Sequence, residues 1–191
     1  LMQRSTIQDA ISAPKVGGIV RLTRFILKGT ILIETIGAML LLPVFLSDYG
    51  LKGIWMAVFH SVSAFCNAGF DILGTTENTF PSLMRYSGNA IVNVVIMLLI
   101  IIGGIGFITW DDIYMNKMNF KRYRMQSKII LVTTACLIFL PAVFFFVYDL
   151  KKLPAGERLL AAAFQSVTTR TAGFNTINIS EMSEASKAVM I

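Results

Sequence analysis

Two short segments of the chain carry the same pattern of aromatic, hydroxyl and small residues. The first consists of Phe59 to Ser63 followed by Ala68 to Phe70, and the second of Phe164 to Thr168 followed by Ala172 to Phe174. Glycine adopts backbone angles that other residues avoid, so a turn around it can leave its carbonyl oxygens uncrowded. Such oxygens can replace the hydration shell of a cation. One Ala-Gly-Phe turn alone is most simply a helix end, but two copies with matching upstream residues favour a cation filter.

Each pattern begins with an apolar run of two to three helical turns. Such a run is too short to cross a membrane but long enough to enter it and return. The carboxyl end of a short helix carries roughly half a negative charge, which favours a cation at that end. Irregular backbone at membrane depth is tolerated only where it is buried in protein or lines water. The two segments therefore predict re-entrant pore helices, each followed by a loop that lines an ion path.

Three long apolar stretches surround the two patterns. Gly88 to Trp110 and Ile129 to Tyr148 hold no formal charge, whereas Phe25 to Leu46 holds Lys28 and Glu34. A helix of about 20 residues matches the roughly 30 Å hydrocarbon core of a bilayer. Lys28 can reach the interface, but Glu34 lies deeper and requires a polar neighbour or a wet cavity. With 55% hydrophobic and 15% charged residues, the sequence predicts an all-α integral membrane protein.

A few residues within the spans have expected structural roles. Gly103, Gly104 and Gly106 are expected to allow close helix packing in the second span. Pro141 is expected to bend the third span, with neighbouring groups serving the carbonyl that it frees. Asp111 and Asp112, at the inner end of the second span, are expected to be solvated.

Basic residues are dense at two places, before the first span and between the second and third. They are Arg4, Lys15, Arg21, Arg24 and Lys28 at the first place and Lys117, Lys121, Arg122, Arg124 and Lys128 at the second. The link between the first two spans holds only Lys52 and Arg85. Because basic loops stay in the cytoplasm, we expect both patterns to lie on the outer side. The net charge of +6 suits anionic membrane lipid as a partner, and no compact basic motif indicates nucleic acid.

In these segments the chain resembles the Trk/Ktr/HKT superfamily of potassium transporters, most closely the KtrB-like and TrkH-like membrane subunits. The stretches Ile102 to Phe107 and Ala13 to Leu22 are also similar to that family, so the resemblance covers nearly the whole chain. It implies a partial chain of a potassium-channel-like fold, in which four helix–pore loop–helix repeats surround one path. Residues 1–22 would be a cytoplasmic amphipathic lead-in and 23–118 the second repeat. Residues 119–191 would be a truncated third repeat, with its first helix, its pore loop and the start of its second helix.

The resemblance also implies which residues form the filter. They are Asn67, Ala68, Gly69 and Phe70 in the first copy and Thr171, Ala172, Gly173 and Phe174 in the second. Potassium would bind backbone carbonyl oxygens near Gly69 and Gly173, and the presence of both glycines is similar to the potassium-selective members. The implied function is potassium uptake across the cytoplasmic membrane, with coupling to sodium or protons left open.

The expected partners and the absence of catalysis follow from the same resemblance. Family subunits typically pair as homodimers and sit on a cytosolic nucleotide-binding ring of the Ktr/Trk regulatory type. The sequence shows no nucleophile–base pattern, no phosphate-binding loop and no paired metal-ligand spacing that would indicate an enzyme. We therefore expect no cofactor, potassium as the substrate, and a chain that crosses the cell membrane several times.

Two other functions compete with ion conduction. A secondary carrier for another small solute or cation would need a polar or charged cluster at mid-depth, where the sequence offers only Glu34. A structural subunit without conduction would have no need for irregular backbone in the membrane.

Single residues near the patterns carry further expectations. His60 is expected to hydrogen-bond within the pore-helix packing rather than to bind a metal. Arg170 is expected to turn away from the ion path and to hold its loop through carbonyls or a carboxylate, with Glu181 and Glu184 as candidates. Asp71 and Asn175, which follow Gly-Phe in the two copies, either lie at the outer mouth, where a carboxylate would concentrate cations, or hydrogen-bond their own backbone in a turn.

Overall fold

The computed structural model describes residues 19–74, 81–117, 119–150 and 153–190. In this part the regular structure is entirely helical, which confirms the predicted all-α class. The α-helices are α1 (Ile19–Tyr49), α2 (Lys52–Phe65), α3 (Ala90–Gly104), α4 (Phe107–Asn116), α5 (Met125–Tyr148), α6 (Ala155–Thr168) and α7 (Glu184–Val189). Short 3₁₀ turns cover Met84–Tyr86, Phe120–Arg122 and Ile179–Glu181. Residues 1–18 of the predicted lead-in lie outside the described residues, and 19–22 already belong to α1.

Two helices are long and apolar enough to cross a membrane. They are α1, over Val20–Tyr49, and α5, over Met125–Tyr148, and they confirm the first and third predicted spans. α1 has 31 residues and is therefore about 46 Å long, which exceeds the hydrocarbon core by about three turns. Only 17% and 11% of the apolar windows of α1 and α5 are buried within the chain, so most of both helices faces lipid or further protein.

The second predicted span is broken into two helices. α3 and α4 meet at 95°, so the prediction of one continuous helix from Gly88 to Trp110 is wrong. Gly106 separates the two helices with a φ of +82°, and such a backbone is costly for residues other than glycine. Trp110 closes the corner, because its Nε1 donates to the carbonyl oxygen of Ile102 at 2.8 Å.

The two pore helices, α2 and α6, have 14 residues each. They are about four turns long rather than two to three, but still too short to cross a membrane. α2 packs against α1 and α3, and α6 packs against α5 and α3, so α3 contacts both. The approach is close at Gly103, where an added Cβ would lie 1.9 Å from the carbonyl oxygen of Phe65. This confirms the packing role predicted for that glycine.

One apolar core joins the two repeats in the described part of the chain. It draws on α1, α2, α3, α6 and the loop after α6, with members that include Leu41, Phe45, Ala64, Ile96, Leu99, Phe164, Val167 and Phe174. A smaller cluster around Phe145 packs the outer end of α5 against α6. The positions at which the pore helices end are therefore fixed by packing shared between the repeats.

One hydroxyl group on each pore helix ties that helix to the preceding span. Ser61 Oγ donates to the carbonyl oxygen of Glu34 at 2.7 Å, and Ser166 Oγ donates to that of Ile138 at 2.6 Å. Ser166 Oγ also lies 3.3 Å from the carbonyl oxygen four residues before Pro141. Proline has no N–H to serve that oxygen, so the predicted help from a neighbouring group is confirmed.

A buried carboxylate holds the corner between α4 and α5. Asp112 is 3% exposed and accepts hydrogen bonds from the Arg124 backbone N–H at 2.8 Å and from Ser127 Oγ at 2.6 Å. The Arg124 guanidinium lies 3.3 Å from Asp111 and 3.5 Å from Asp112. The expectation of a solvated Asp112 is wrong, because its carboxylate serves the amino end of α5.

Candidate cation filter

The loops that follow α2 and α6 lie against each other. Gly69 and Gly173 have φ angles of +69° and +78°, a region that glycine enters at little cost. A Cβ added at Gly69 would lie 2.2 Å from the carbonyl oxygen of Ala172 and 3.0 Å from the Cα of Gly173. A larger residue at Gly69 would therefore have to displace the second loop. The structure brings together the two glycines that the sequence singled out.

Positive φ angles occupy matching positions in the two loops. In the first loop φ is positive at Asn67 and Gly69, at +52° and +69°. In the second it is positive at Thr171 and Gly173, at +150° and +78°. Successive carbonyls of an extended strand point to opposite sides, whereas alternation in the sign of φ turns them toward one side. The alternating signs of φ are therefore compatible with loops that present carbonyl oxygens to a dehydrated cation.

Hydroxyl groups at the ends of the pore helices fix the far end of each loop. Ser63 Oγ donates to the carbonyl oxygen of Phe70 at 2.8 Å, and Thr168 Oγ1 donates to that of Phe174 at 2.6 Å. The backbone repeats this match, because the N–H groups of the two filter alanines bond the carbonyls of Ser63 and Thr168. No role for these two hydroxyls was predicted from the sequence, although the Ser/Thr position that both copies share before the turn is a signal that indicates one.

A side-chain bridge joins the two loops. The amide of Asn67 and Oγ1 of Thr171 lie 3.2 Å apart. In the orientation that satisfies both ends of the amide, its oxygen accepts from Thr171 while its NH₂ group donates to the carbonyl oxygens of Ile100 and Ala64, at 3.2 and 3.1 Å. Asn67 therefore connects α2, α3 and the second loop, and both side chains are engaged with protein groups.

The two phenylalanines that close the turns lie in different surroundings. Phe174 is fully buried, with its ring centre 6.4 Å from that of His60. The His60 ring in turn stacks on Phe45 at 5.1 Å. Phe70 is 70% exposed. The second loop is thus packed on α2 through Phe174, whereas the matching phenylalanine of the first loop, Phe70, faces outward.

Comparison with known proteins identifies the family. Residues 1–191 match the TrkH family, described as cation transport proteins. The chain belongs to this family. The potassium/sodium uptake protein NtpJ of Enterococcus hirae is 38% identical over 188 residues, which cover 95% of this chain and 40% of the relative. Ktr system potassium uptake protein B of Bacillus subtilis is 36% identical over 192 residues, 96% of this chain and 41% of the relative. The protein of the same name from Vibrio alginolyticus is 29% identical over 199 residues, 100% of this chain and 42% of the relative.

Family membership confirms the resemblance that the pore-loop motifs indicated. The chain spans about two-fifths of the length of these curated relatives. The family consists of membrane transport proteins and not of enzymes, and the apolar helices α1 and α5 agree with a place in the membrane.

His60 lies on the buried side of α2, as expected. Its Nδ1 is 2.7 Å from the carbonyl oxygen of Met56, one turn earlier in α2. The side chain is fully buried and lies between the rings of Phe45 and Phe174. The predicted hydrogen bond within the pore-helix packing is confirmed, and His60 also forms part of the contact between the repeats.

Arg170 turns toward α5, but its partner differs from the predicted one. Its Nη2 donates to Thr134 Oγ1 at 3.2 Å. Glu184 instead pairs with Lys187 at 2.9 Å, one turn along α7, so the expectation that Glu184 holds Arg170 is wrong. The side chain of Glu181 lies outside the described residues. Among the described residues, a hydroxyl on the neighbouring span receives the guanidinium.

The residues after the two turns anchor the loops on their outer side. Asp71 Oδ1 accepts from the Leu73 N–H at 3.1 Å, which confirms the turn interpretation for that residue. Asn175 binds the first outer link through its backbone, with its N–H 2.9 Å from Ser82 Oγ and its carbonyl oxygen 2.9 Å from the Leu83 N–H. The turn predicted at the Asn175 side chain stays a prediction.

Glu34 lines an open groove between α1 and α2. The groove has a volume of about 290 Å³, and apart from Glu34 and Thr35 its lining is apolar. A carrier built around Glu34 would require further polar groups beside it. The described residues of this groove do not supply such a cluster, so the groove gives the carrier alternative no support.

Proposed function

We propose that this chain belongs to a potassium-uptake transporter and that the loops after α2 and α6 form two of its filter segments. The observation that carries the proposal is the contact between the loops, where two glycines of positive φ lie side by side. Relatives named as potassium or potassium/sodium uptake proteins support the choice of ion. The other filter segments would come from the additional length that these relatives possess.

Ion entry would exchange water for backbone carbonyl oxygens near Gly69 and Gly173. The carboxyl ends of α2 and α6 lead directly into the two loops, so their partial negative charges would favour a cation there. The hydroxyls of Ser63 and Thr168 hold the phenylalanine carbonyls and limit how far the loops can contract. A smaller ion that needs closer oxygens would then gain less from the site than potassium does.

We further propose that the complete transporter is a homodimer that works with a cytosolic nucleotide-binding regulatory ring. Two relatives are named as proteins of a Ktr system, which supports a membrane subunit that acts with a separate regulatory component. The basic residues of the inner link between α4 and α5 would face that component.

The proposal is tested by rubidium uptake into liposomes that contain the full-length transporter, with potassium or sodium as competitor. Gly69→Ser is the decisive variant, because its side chain would require a costly φ and would meet the carbonyl oxygen of Ala172. Gly50→Ser is the matched control: Gly50 has a φ of +56°, but nothing lies within 4 Å of an added Cβ. Both variants carry a similar backbone cost, and only one disturbs the facing loop.

The expected result is that potassium competes far better than sodium in wild type and in Gly50→Ser, and that Gly69→Ser loses at least tenfold of this preference. If Gly69→Ser keeps the preference of wild type, the loops are not the filter. If folded wild type with its regulatory partner moves no rubidium, potassium uptake itself is the wrong function.

A further inference from the structure

A basic cleft lies at the cytoplasmic end of α1, and no filter residue contributes to it. The cleft has a volume of about 490 Å³ and is lined by Val20, Arg21, Arg24, Phe25, Lys28 and Tyr114. Residues three and four positions apart share one face of a helix, so Arg21, Arg24 and Lys28 line the same side. Three cations therefore border a space that the proposed ion path does not use.

Carboxylates of the described chain do not neutralise these cations. The lining of the cleft contains no acidic residue, and the ion pairs found within the described ranges involve other groups. Arg124, also on the inner side, shows the contrast, because Asp111 and Asp112 both lie close to its guanidinium. The cleft of α1 thus has the charge to receive an anion from outside the chain.

An apolar wall stands beside the charges. The rings of Phe25 and Tyr114 lie 5.2 Å apart and connect α1 to α4. The 31 residues of α1 extend about 46 Å, which is longer than a core of about 30 Å. Because charged side chains are costly in hydrocarbon, we expect the excess length to place Arg21 and Arg24 at headgroup level. Tyrosine is common at that level. Cations next to an apolar surface match a phosphate that is joined to acyl chains.

We propose that this cleft binds the phosphate headgroup of an anionic phospholipid in the cytoplasmic leaflet. The two arginines can donate paired hydrogen bonds to phosphate oxygens, and Lys28 supplies a point charge one turn deeper. Basic pockets beside membrane helices are suited to anionic headgroups. Free phosphate shares the chemistry of the headgroup, but it has nothing to place against Phe25 and Tyr114.

The test measures binding of a fluorescent phosphatidylglycerol to the full-length transporter in neutral detergent, so its outcome does not depend on transport. Wild type is compared with the triple variant Arg21→Gln, Arg24→Gln and Lys28→Gln. Each cation near a headgroup contributes about 1 kcal/mol, or about fivefold in affinity. The triple variant is therefore expected to bind about 100-fold more weakly. Should the triple variant not fold, Arg24→Gln alone is expected to bind about fivefold more weakly with an unchanged thermal midpoint.

A control triple removes the same charge from the inner link between α4 and α5: Lys117→Gln, Lys121→Gln and Arg122→Gln. This control is expected to bind phosphatidylglycerol like wild type, and neither phosphatidylcholine nor millimolar inorganic phosphate is expected to displace the probe. Equal binding by wild type and the cleft variants would overturn the proposal, and so would an equal loss in both triples. Displacement by inorganic phosphate would assign the cleft to a soluble phosphate compound instead of a lipid.

Discussion

The two facing loops after α2 and α6 are held by side chains that lie outside the Ala-Gly-Phe turns. Ser63 and Thr168 hold the carbonyls of the closing phenylalanines, and the amide of Asn67 reaches the hydroxyl of Thr171 in the other loop. Where such a contact is buried, as between Thr168 and Phe174, loss of one partner costs roughly 1–3 kcal/mol, which exceeds thermal energy. These contacts therefore restrain the carbonyl positions on which selection of an ion would depend.

Loss of the bridge between the loops is expected to relax selectivity. In the full-length transporter, Asn67→Ala and Thr171→Val should each reduce the preference for potassium over sodium in rubidium uptake. A second measurement is the unfolding free energy of the wild type, the two single variants and the double variant. Because both substitutions remove the same bridge, the double variant should lose less unfolding free energy than the two single variants lose together, by about 0.5–3 kcal/mol. Thr171→Ser keeps the hydroxyl and should behave like wild type. If the losses of unfolding free energy in the two single variants add up to the loss in the double variant, the bridge does not couple the loops.

The glycines could be predicted from sequence, but the bridge could not. Gly69 and Gly173 stand out because each follows a matched block, and because glycine alone enters the required backbone region freely. Asn67 and Thr171 each precede Ala-Gly-Phe, so an alignment of the two copies sets them at matching positions. Matching positions do not indicate contact, because the two residues lie 104 residues apart in the chain and differ in chemistry. Their contact depends on how α2 and α6 pack against α3, which a local pattern does not contain.

Among the elements, α7 is attached to the outer end of α5 through one carboxylate. Asp149, directly after α5, accepts from the Ser183 N–H at 3.3 and 3.1 Å through its two oxygens. Burial alone would raise the pKa of Asp149, but hydrogen bonds from Ser186 and Ser183, together with Lys187, lower it below its ordinary value. The folded protein thus favours the ionised carboxylate at the start of α7.

Acid is expected to weaken this attachment. A carboxyl group whose pKa is lower in the folded state stabilises the fold above its unfolded pKa of about 3.9, and this contribution is lost as the pH falls toward the folded pKa. Thermal unfolding between pH 6 and pH 3 should therefore show a smaller acid-induced loss of stability in Asp149→Asn than in wild type. Glu157→Gln, on the exposed first turn of α6, should retain the wild-type dependence. An identical acid response in wild type and Asp149→Asn would contradict this account.

Element boundaries could be predicted where apolar runs end in polar residues, and they were missed where the chain bends inside an apolar run. The carboxyl ends of α1 and α5, at Tyr49 and Tyr148, lie within three residues of the predicted ends. Both helices begin before the predicted starts, because they continue through polar and basic residues at their amino ends. The break between α3 and α4 lies within uninterrupted apolar sequence, so hydropathy does not reveal it. The chain bends at Gly106, where φ is positive. From the sequence, Gly106 was predicted only to allow close helix packing, like Gly103 and Gly104.

At the scale of the whole molecule, the two repeats differ in how well they are covered. Phe174 is fully buried while Phe70 is 70% exposed, and Val167 is 1% exposed while Val62 is 39% exposed. These residues occupy matching places in the two copies. Because α3 packs on α6, the same face of α2 has room for an equivalent helix. The relatives, of which this chain spans about two-fifths, have the length to provide one.

Phe70 is therefore expected to be a core residue of the full-length transporter. Phe70→Ala should destabilise it by about 3–5 kcal/mol, as is usual for a buried phenylalanine, and Phe174→Ala should cost a similar amount. The measurement is the unfolding free energy in detergent, with Phe139→Ala on the exposed face of α5 as the control for a lipid-facing position. A cost at Phe70 no larger than that at Phe139 would mean that no neighbouring repeat covers this loop.

The central claim is that backbone carbonyls of the two facing loops hold the transported ion. Anomalous X-ray diffraction from crystals of the full-length transporter soaked in rubidium tests it most directly, because rubidium substitutes for potassium and can be located without a model of the site. We predict rubidium peaks within coordination distance of carbonyl oxygens at Gly69 and Gly173, and their absence in Gly69→Ser. Rubidium found only elsewhere, for example beside Glu34 in the groove between α1 and α2, would contradict the filter and favour a carrier.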